Sequence, residues 1–264
     1  MYSVKEFFNV LNDIAPIRLS HRLIELGDYD NSGILVENTS PVKKVLFTLD
    51  LSDLAVDFAI KNGCDTIVTH HPAIYAPIKN LSTENPCSNA LLKAIKRNIS
   101  VISMHLNLDV AVNGIDQNLA EKLGANQVEI LEKLEENCGY GRQFFIKERS
   151  LNTYFQEVKA NFNCNKILCY GNENKTINSV ASFCGSGSSA ILKGLENGVL
   201  TADLIVSSDI PHHVIKEILE RGKSLILIPH YVAEEYGFSK YFASVNENVK
   251  NKIETIYFLD ERFK

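Results

Sequence analysis

The chain of 264 residues has no long run of Lys or Arg, and its formal net charge is -5. Such a balance argues against bulk polyanion binding, so nucleic acid is not expected as a partner. No window approaches the roughly 20 apolar residues of a membrane span, which argues against a membrane protein. The N-terminal stretch MYSVKEFFNVLNDI sets Lys5, Glu6 and Asp13 among apolar residues at helical spacing, which is neither a signal-peptide core nor a transit peptide. No C-x-x-C pair occurs among Cys64, Cys87, Cys138, Cys164, Cys169 and Cys184, so they are read as reduced, mostly core thiols of a cytoplasmic protein. There is no G-x-x-x-x-G-K-S/T loop either, so any nucleotide chemistry must rest on other residues. What the chain does have is apolar substance: 45% of its residues are hydrophobic, enough for a sizeable core in one large or two small domains.

The chemistry is densest at Asp65-Thr-Ile-Val-Thr-His-His-Pro72. Thr66 to Thr69 reads as a buried strand that Pro72 cannot continue, which puts His70 and His71 at its C-terminal end. Open α/β sheets bind ligands at that end. Neighbouring strand residues point to opposite faces. Two adjacent histidines therefore suit two adjacent ions better than one, unless the chain bends at Pro72. The alternative is one core histidine and one solvated histidine.

Around this stretch the pattern is β-α-β. Val4 to Ala15 reads as an amphipathic helix, Gly27 to Gly33 as a polar turn, and Ile34 to Val36 as a short strand. Lys44 to Asp50 is a strand, and Ser52 starts a helix that stops at Gly63. Asn89 to Arg97 reads as a helix, and the strand from Asn98 to Met104 runs into His105-Leu-Asn-Leu-Asp109. A further helix carries Ile115, Leu119 and Leu123. The middle offers a strand at Gln143 to Lys147, a helix at Leu151 to Phe162, strands near Lys166 to Tyr170 and Ser179 to Phe183, and no chemical constellation. Gly185-Ser-Gly187 before a helix from Ser188 to Asn197 reads as an N-cap, or as a place for an anion.

An internal echo follows. Asp203-Leu-Ile-Val-Ser-Ser-Asp-Ile-Pro211 repeats the acidic start, apolar strand, polar end and proline of the first stretch. In both copies a helix and a second strand come next, ending in a histidine with a carboxylate four residues on: His105 with Asp109, and His230 with Glu234. We read this as a duplication that faces its strand ends toward a shared cleft, with chance similarity of two β-α-β units as the alternative. The expected fold is α/β, a two-lobed subunit with one lobe over 1–125 and the other over 126–264, whose C-terminal segment can pack back on the first. A helix from Ala233 to about Val245 and a strand from Glu254 to Leu259 close the chain.

Imidazoles and carboxylates together suit zinc, iron, manganese, cobalt or nickel. His70, His71, Asp109, His230 and Glu234 are five ligand-type groups, enough for two divalent ions that share Glu234 and complete their shells with water. Two ions about 3.5–4 Å apart can activate a bridging water, so the implied reaction is hydrolysis. His105, Asp209 and His213 are left as supporting groups or proton donors, with a plain surface or core role as the alternative for each. Glu235 is read as solvated.

The His70-His71-Pro72 strand end, His105-Leu-Asn-Leu-Asp109 with Asn113-Gly114 and Asn118-Leu-Ala, Asp209 with His213, and His230-Tyr-Val-Ala-Glu234 resemble the GTP cyclohydrolase 1 type 2 homologue family, also called NIF-three-like. The resemblance runs over nearly the whole chain. It implies a dinuclear centre held by His70, His71, Asp109, His230 and bridging Glu234, filled by zinc, iron or manganese. It also implies a toroidal homohexamer built as a trimer of dimers, a nucleotide-like or phosphorylated small-molecule substrate, and GTP ring opening as the named activity. The alternative is a non-catalytic metal-binding regulatory protein that forms a ring. The chain lacks the middle domain of longer members. The family's usual Trp-Asp-Asn-x-Gly-Leu turn is Tyr29-Asp-Asn-Ser-Gly-Ile34 here, the glycine that often follows it is Glu37, and Ser207-Ser208 stands for the usual Thr-Gly.

Overall fold

A computed structural model describes residues 2–38 and 41–263. In chain order the elements are α1 (Val4–Ile14), α2 (Ile17–Glu25), β1 (Gly33–Val36), β2 (Lys44–Thr48), α3 (Asp53–Lys61), β3 (Thr66–Thr69), α4 (Pro86–Lys96), β4 (Ser100–Ser103), the short α5 (Leu106–Val110) and α6 (Ile115–Lys122). There follow β5 (Glu129–Glu135), β6 (Cys138–Ser150), α7 (Leu151–Phe162), β7 (Leu168–Tyr170), β8 (Thr176–Ser182), α8 (Ser188–Glu196), β9 (Leu204–Ser207), α9 (His212–Glu220), β10 (Ser224–Leu227), α10 (His230–Val249) and β11 (Glu254–Tyr257). The chain divides into two compact units, Met1–Ala111 with Phe238–Arg262, and Val112–Gly237 with Phe263–Lys264.

In the first unit a sheet of order β1-β4-β3-β2-β11 is parallel except for β1. A parallel sheet covered on both faces needs strands without a polar side, and β3 and β4 are buried at every residue. Leu46, Ile67 and Val101 pack on Ala55, Val56 and Ala59 of α3 and on Ala90 and Ala94 of α4. Phe47 packs instead among Phe238, Tyr241 and Phe242 of α10. Each such side chain, fully buried, contributes about 1.5–3 kcal/mol. Helix α1 opens with a capping box: the Ser3 hydroxyl accepts from the Glu6 N–H at 3.2 Å and the Glu6 carboxylate accepts from the Ser3 N–H at 2.7 Å.

In the second unit the sheet order is β5-β6-β8-β9-β10-β7, with β8, β9 and β10 parallel and the remaining pairs antiparallel. Ala181, Ile205 and Leu225 pack on Ile191 and Leu195 of α8 and on Val214 and Ile218 of α9. Helix α6 counts with this unit, and a buried ion pair shows why. Arg142 of β6 donates to Asp116 of α6 at 2.9 Å, with their side chains 1% and 0% exposed. The other Asp116 oxygen accepts from the Cys184 N–H at 3.0 Å, and Arg142 also donates to the Gly139 carbonyl at 2.8 Å. Burial pushes the Asp116 carboxyl up to about 6, against the pull of Arg142 and the Cys184 N–H.

The middle of the chain is therefore structurally tied where the sequence offered no constellation. Of these elements three were not anticipated, α2, the short α5 and β5, and α10 begins at His230 rather than Ala233. Cys64, Cys138, Cys164 and Cys184 are buried and Cys169 is half-buried, and none of the five is in a disulfide among the described residues; the Cys87 side chain lies outside the described residues. Among the described residues no helix is long and apolar enough to cross a membrane.

Candidate metal centre

The first unit gathers three imidazoles. Strand β3 ends at Thr69, and the N–H groups of His70 and His71 both donate to the Leu49 carbonyl, at 3.1 and 3.0 Å. The chain thus bends off the strand, the alternation of faces is lost, and the two rings lie 4.9 Å apart between centroids. The bend is pinned from beneath. The Thr69 hydroxyl donates to the His71 carbonyl at 2.8 Å, it bonds the Ser103 hydroxyl at 2.7 Å, and Ser103 accepts from the Ala73 N–H at 3.2 Å. His105 follows β4, and its ring centroid is 5.2 Å from that of His70 and 5.8 Å from that of His71. One ligand-type atom from each of the three histidines lies within 4.8 Å of the others.

Each ring is held by its Nδ1. That of His70 bonds the Met104 carbonyl at 2.8 Å, that of His71 the Asp50 carboxylate at 2.8 Å, and that of His105 the Asp30 carboxylate at 2.7 Å. A carbonyl or carboxylate in that place makes Nδ1 the N–H donor, so the neutral ring carries its lone pair on Nε2. This is the arrangement in which a histidine presents Nε2 to a metal. Asp109, 6% exposed on α5, places a carboxylate oxygen 3.4 Å from His70 Nε2. Helix α5 is itself fixed by Asn107, whose amide donates to the Ala15 carbonyl at 2.7 Å.

Asp30 is the best-supported carboxylate of the group. Burial alone would raise its pKa. The bond from His105, with those from the Ser20 and Ser32 hydroxyls, outweighs burial and holds the group at about 2. Sequence reading passed over both Asp30 and Asp50. Asp30 was visible only as part of a turn. Asp50, at the end of a strand beside the one that delivers His71, carried a positional signal that went unused.

The second unit contributes a shorter set. Strand β10 ends at Leu227, and the Pro229 carbonyl accepts from the Ala233 N–H at 3.0 Å, so helical bonding starts at once. His230 and Glu234 then stand one turn apart, with His230 Nε2 and the Glu234 carboxylate 3.0 Å from each other. Glu234 is 2% exposed. His230 Nδ1 bonds the Asp209 carboxylate at 2.6 Å, which repeats the support seen at His71 and His105. Asp209 has φ +51°, a left-handed conformation that Asp tolerates better than most residues. It turns to His230, and His213 sits exposed at the start of α9. Gly185, at φ +57°, closes over the pair: a Cβ there would lie 3.1 Å from a Glu234 carboxylate oxygen and 3.7 Å from His230 Nε2. Glycine thus leaves the volume beside the ligand-type atoms open. Glu235, on the same helix, is half-buried, and its side chain makes no hydrogen bond or ion pair among the described residues.

Taken as chemistry, the donors in each unit are imidazole nitrogen and carboxylate oxygen with ordered support behind them, and this set fits a divalent first-row metal. The fold and these donors define an α/β protein with candidate metal-binding groups at its strand ends. The chain belongs to the Duf34/NIF3 (NGG1p interacting factor 3) family, whose sequence model matches residues 2–262. It is 29% identical over 236 residues to the GTP cyclohydrolase 1 type 2 homolog of Clostridium acetobutylicum, covering 88% of this chain and 85% of that one. To the GTP cyclohydrolase 1 type 2 of Helicobacter pylori it is 27% identical over 270 residues, covering 97% of this chain and 100% of that one. The crystal structure of a Bacillus cereus protein related to NIF3 superposes with a TM-score of 0.85 at 19% identity, with 97% of each chain covered, a likeness of fold.

Proposed function

We propose that this chain is a dinuclear metal-dependent hydrolase-like protein acting on a nucleotide or another phosphorylated small molecule. His70, His71, Asp109, His230 and Glu234 would hold two divalent ions, zinc, iron or manganese, with Glu234 bridging. The observation that carries the reading is that His70, His71 and His230 all have Nδ1 committed to a carbonyl or carboxylate. Such backing leaves Nε2 as the lone-pair nitrogen, as a metal ligand requires; His105 shares it through Asp30 and is assigned to proton transfer instead. Ions bound in pairs supply Lewis acidity and a water of lowered pKa.

The chain's own groups do the rest. Asp50 and Asp209 orient His71 and His230. Asp30 fixes His105 so that Nε2 can accept a proton from an incoming nucleophile or return one to a leaving group. GTP ring opening, the activity in the names of the relatives, is the first reaction to try. The family resemblance extends the proposal to a homohexamer, which light scattering on the purified chain would test.

The experiment is metal content per chain on protein purified without a tag or chelator, beside the His70→Ala/Glu234→Ala double variant. About two ions in the wild type and their loss in the variant are expected. A wild type that holds none and takes up no added zinc, iron or manganese would overturn the reading. Where metal binds, His105→Ala is expected to keep it and lose turnover of GTP or phosphoesters.

A further inference from the structure

The loops beside the three histidines of the first unit carry two aromatic rings that the metal reading leaves unused. Tyr29 and Tyr75 are each 51% exposed, yet they meet edge to face with ring centroids 4.9 Å apart and planes at 76°. The Tyr75 ring lies 6.4 Å from that of His105, at 88°. Singly exposed aromatics are ordinary on a protein surface. This pair differs because the backbone beneath it is fixed. Asn31 donates from its side-chain amide to the Ile74 carbonyl at 2.6 Å, which staples the two loops together. Asp30, next to Tyr29, is anchored by His105, Ser20 and Ser32. The Tyr75 hydroxyl reaches the Tyr29 carbonyl at 3.5 Å. Two rings are thus held in fixed places, half open to solvent, at the edge of a histidine cluster.

We propose that Tyr29 and Tyr75 receive a planar heteroaromatic ring, the base end of a nucleotide-like ligand, while the rest of that ligand extends toward His105 and the neighbouring histidines. An aromatic face binds any base, because every base has a π-face, and the contact costs little ordering when the protein rings are already fixed. An edge-to-face pair offers the incoming ring one face to stack on and one edge to meet, which favours a flat ligand over a sugar phosphate alone. The inference names the ligand class of the site in the proposed function and rests on that reading for any reaction, although ring binding itself is measurable without turnover.

The chain contains no tryptophan, so Tyr29→Trp places a single indole in the pair. Its emission would be followed in the full-length protein on addition of guanosine monophosphate, adenosine monophosphate or ribose 5-phosphate, with metal loaded and again after chelation. Saturable quenching by the two nucleotides and none by ribose 5-phosphate is the expected result. Adding Tyr75→Ala should weaken nucleotide binding about 5- to 150-fold, the range for losing one stacked ring. Equal responses to all three probes, or none to any of them in metal-loaded protein, would overturn the proposal. So would emission that changes on simple dilution without ligand, which would make the pair a contact between copies of this chain. Should Tyr29→Trp misfold, Tyr75→Trp gives the same readout from the other ring. Metal counting is independent of this test. Two ions bound without nucleotide quenching would sink the ring contact alone, and quenching in a chain that never binds metal would sink the hydrolase reading alone.

Discussion

The two units use one strand scheme for different ends. In the first, β2, β3 and β4 are parallel and β1 joins β4 antiparallel; in the second, β8, β9 and β10 are parallel and β7 joins β10 antiparallel. After the third strand of each set comes a histidine with a carboxylate four residues later. In the second unit the helix begins at His230, so Glu234 returns to its own histidine at 3.0 Å. In the first, His105 only caps α5, with ψ -122° outside the helical range, and Asp109 reaches His70 instead. The same spacing therefore yields two geometries, and where the helix starts decides which. The repeated strand order supports the reading of an internal duplication, with each copy adapted around its own histidine.

The units also differ in how they bury a carboxylate, and the largest expected effect lies there. Asp116 in the second unit is enclosed with Arg142; Asp30 in the first rests among an imidazole and two hydroxyls. Arg142→Leu strands the Asp116 charge and should cost about 3–5 kcal/mol in urea unfolding, whereas replacing both partners by Leu should cost clearly less. Equal costs for the single and double variants would mean that the arginine's packing matters more than its charge. The next effect concerns metal. Asp50→Asn and Asp209→Asn disturb the support of one histidine in each unit, and each should weaken metal binding about 10- to 100-fold by competition with a chelating dye. If only Asp209→Asn does so, the second unit's histidine depends on its support more than the first's.

A pH test sharpens the contrast between the two carboxylates. The folded-state pKa of Asp30 is depressed from 3.8 to about 2, so its contribution is present above pH 3.8 and is lost as pH falls through 2. That shift corresponds to about 2 kcal/mol in metal-free protein. Asp116 carries the opposite sign. Its raised pKa makes the folded state less stable as pH climbs from 3.8 to about 6. Stability of Asp30→Asn and wild type should therefore converge near pH 2 and separate above pH 4, and curves that stay parallel across that window would contradict the assignment.

Much of this arrangement was legible in the sequence because strand ends announce themselves. Thr66 to Thr69 and Leu204 to Ser207 are short apolar runs closed by a polar pair and a proline, and the histidines follow from position. Strand β5 escaped because Glu129, Glu132, Lys133 and Glu135 disguise a strand whose side chains are largely open to water. Asp30 and Asp50 escaped for another reason. Their partners, His105 and His71, are 75 and 21 residues away, and no local pattern encodes a bond between a loop carboxylate and a distant imidazole. The start of α10 at His230 was hidden by Pro229, which reads as a break but supplies the first helical acceptor through its carbonyl.

The smallest expected effect compares α3 and α8, the helices that follow β2 and β8. Helix α3 is capped by Ser52, whose hydroxyl accepts from the Ala55 N–H at 3.2 Å. Helix α8 has Gly187 at that position and no side-chain cap. A hydroxyl there is sterically barred, since a Cβ on Gly187 would come within 2.6 Å of the Phe183 Cβ. The Gly187 N–H is satisfied instead by the Ser207 hydroxyl at 3.1 Å, a bond from the neighbouring strand's end. Capping in the first unit is thus local, and in the second it is exchanged for a close approach of backbone to β8 and a bond to β9. Ser52→Ala should cost about 1 kcal/mol and Ser52→Gly only a few tenths, because glycine lets water reach the exposed N–H groups. Ser207→Ala removes the substitute bond and leaves the buried Gly187 N–H without it, at a cost of about 1–3 kcal/mol if no water enters. A Ser207→Ala loss no larger than that of Ser52→Ala would mean that water replaces the hydroxyl, and that the glycine at the start of α8 is kept for its fit against Phe183 alone.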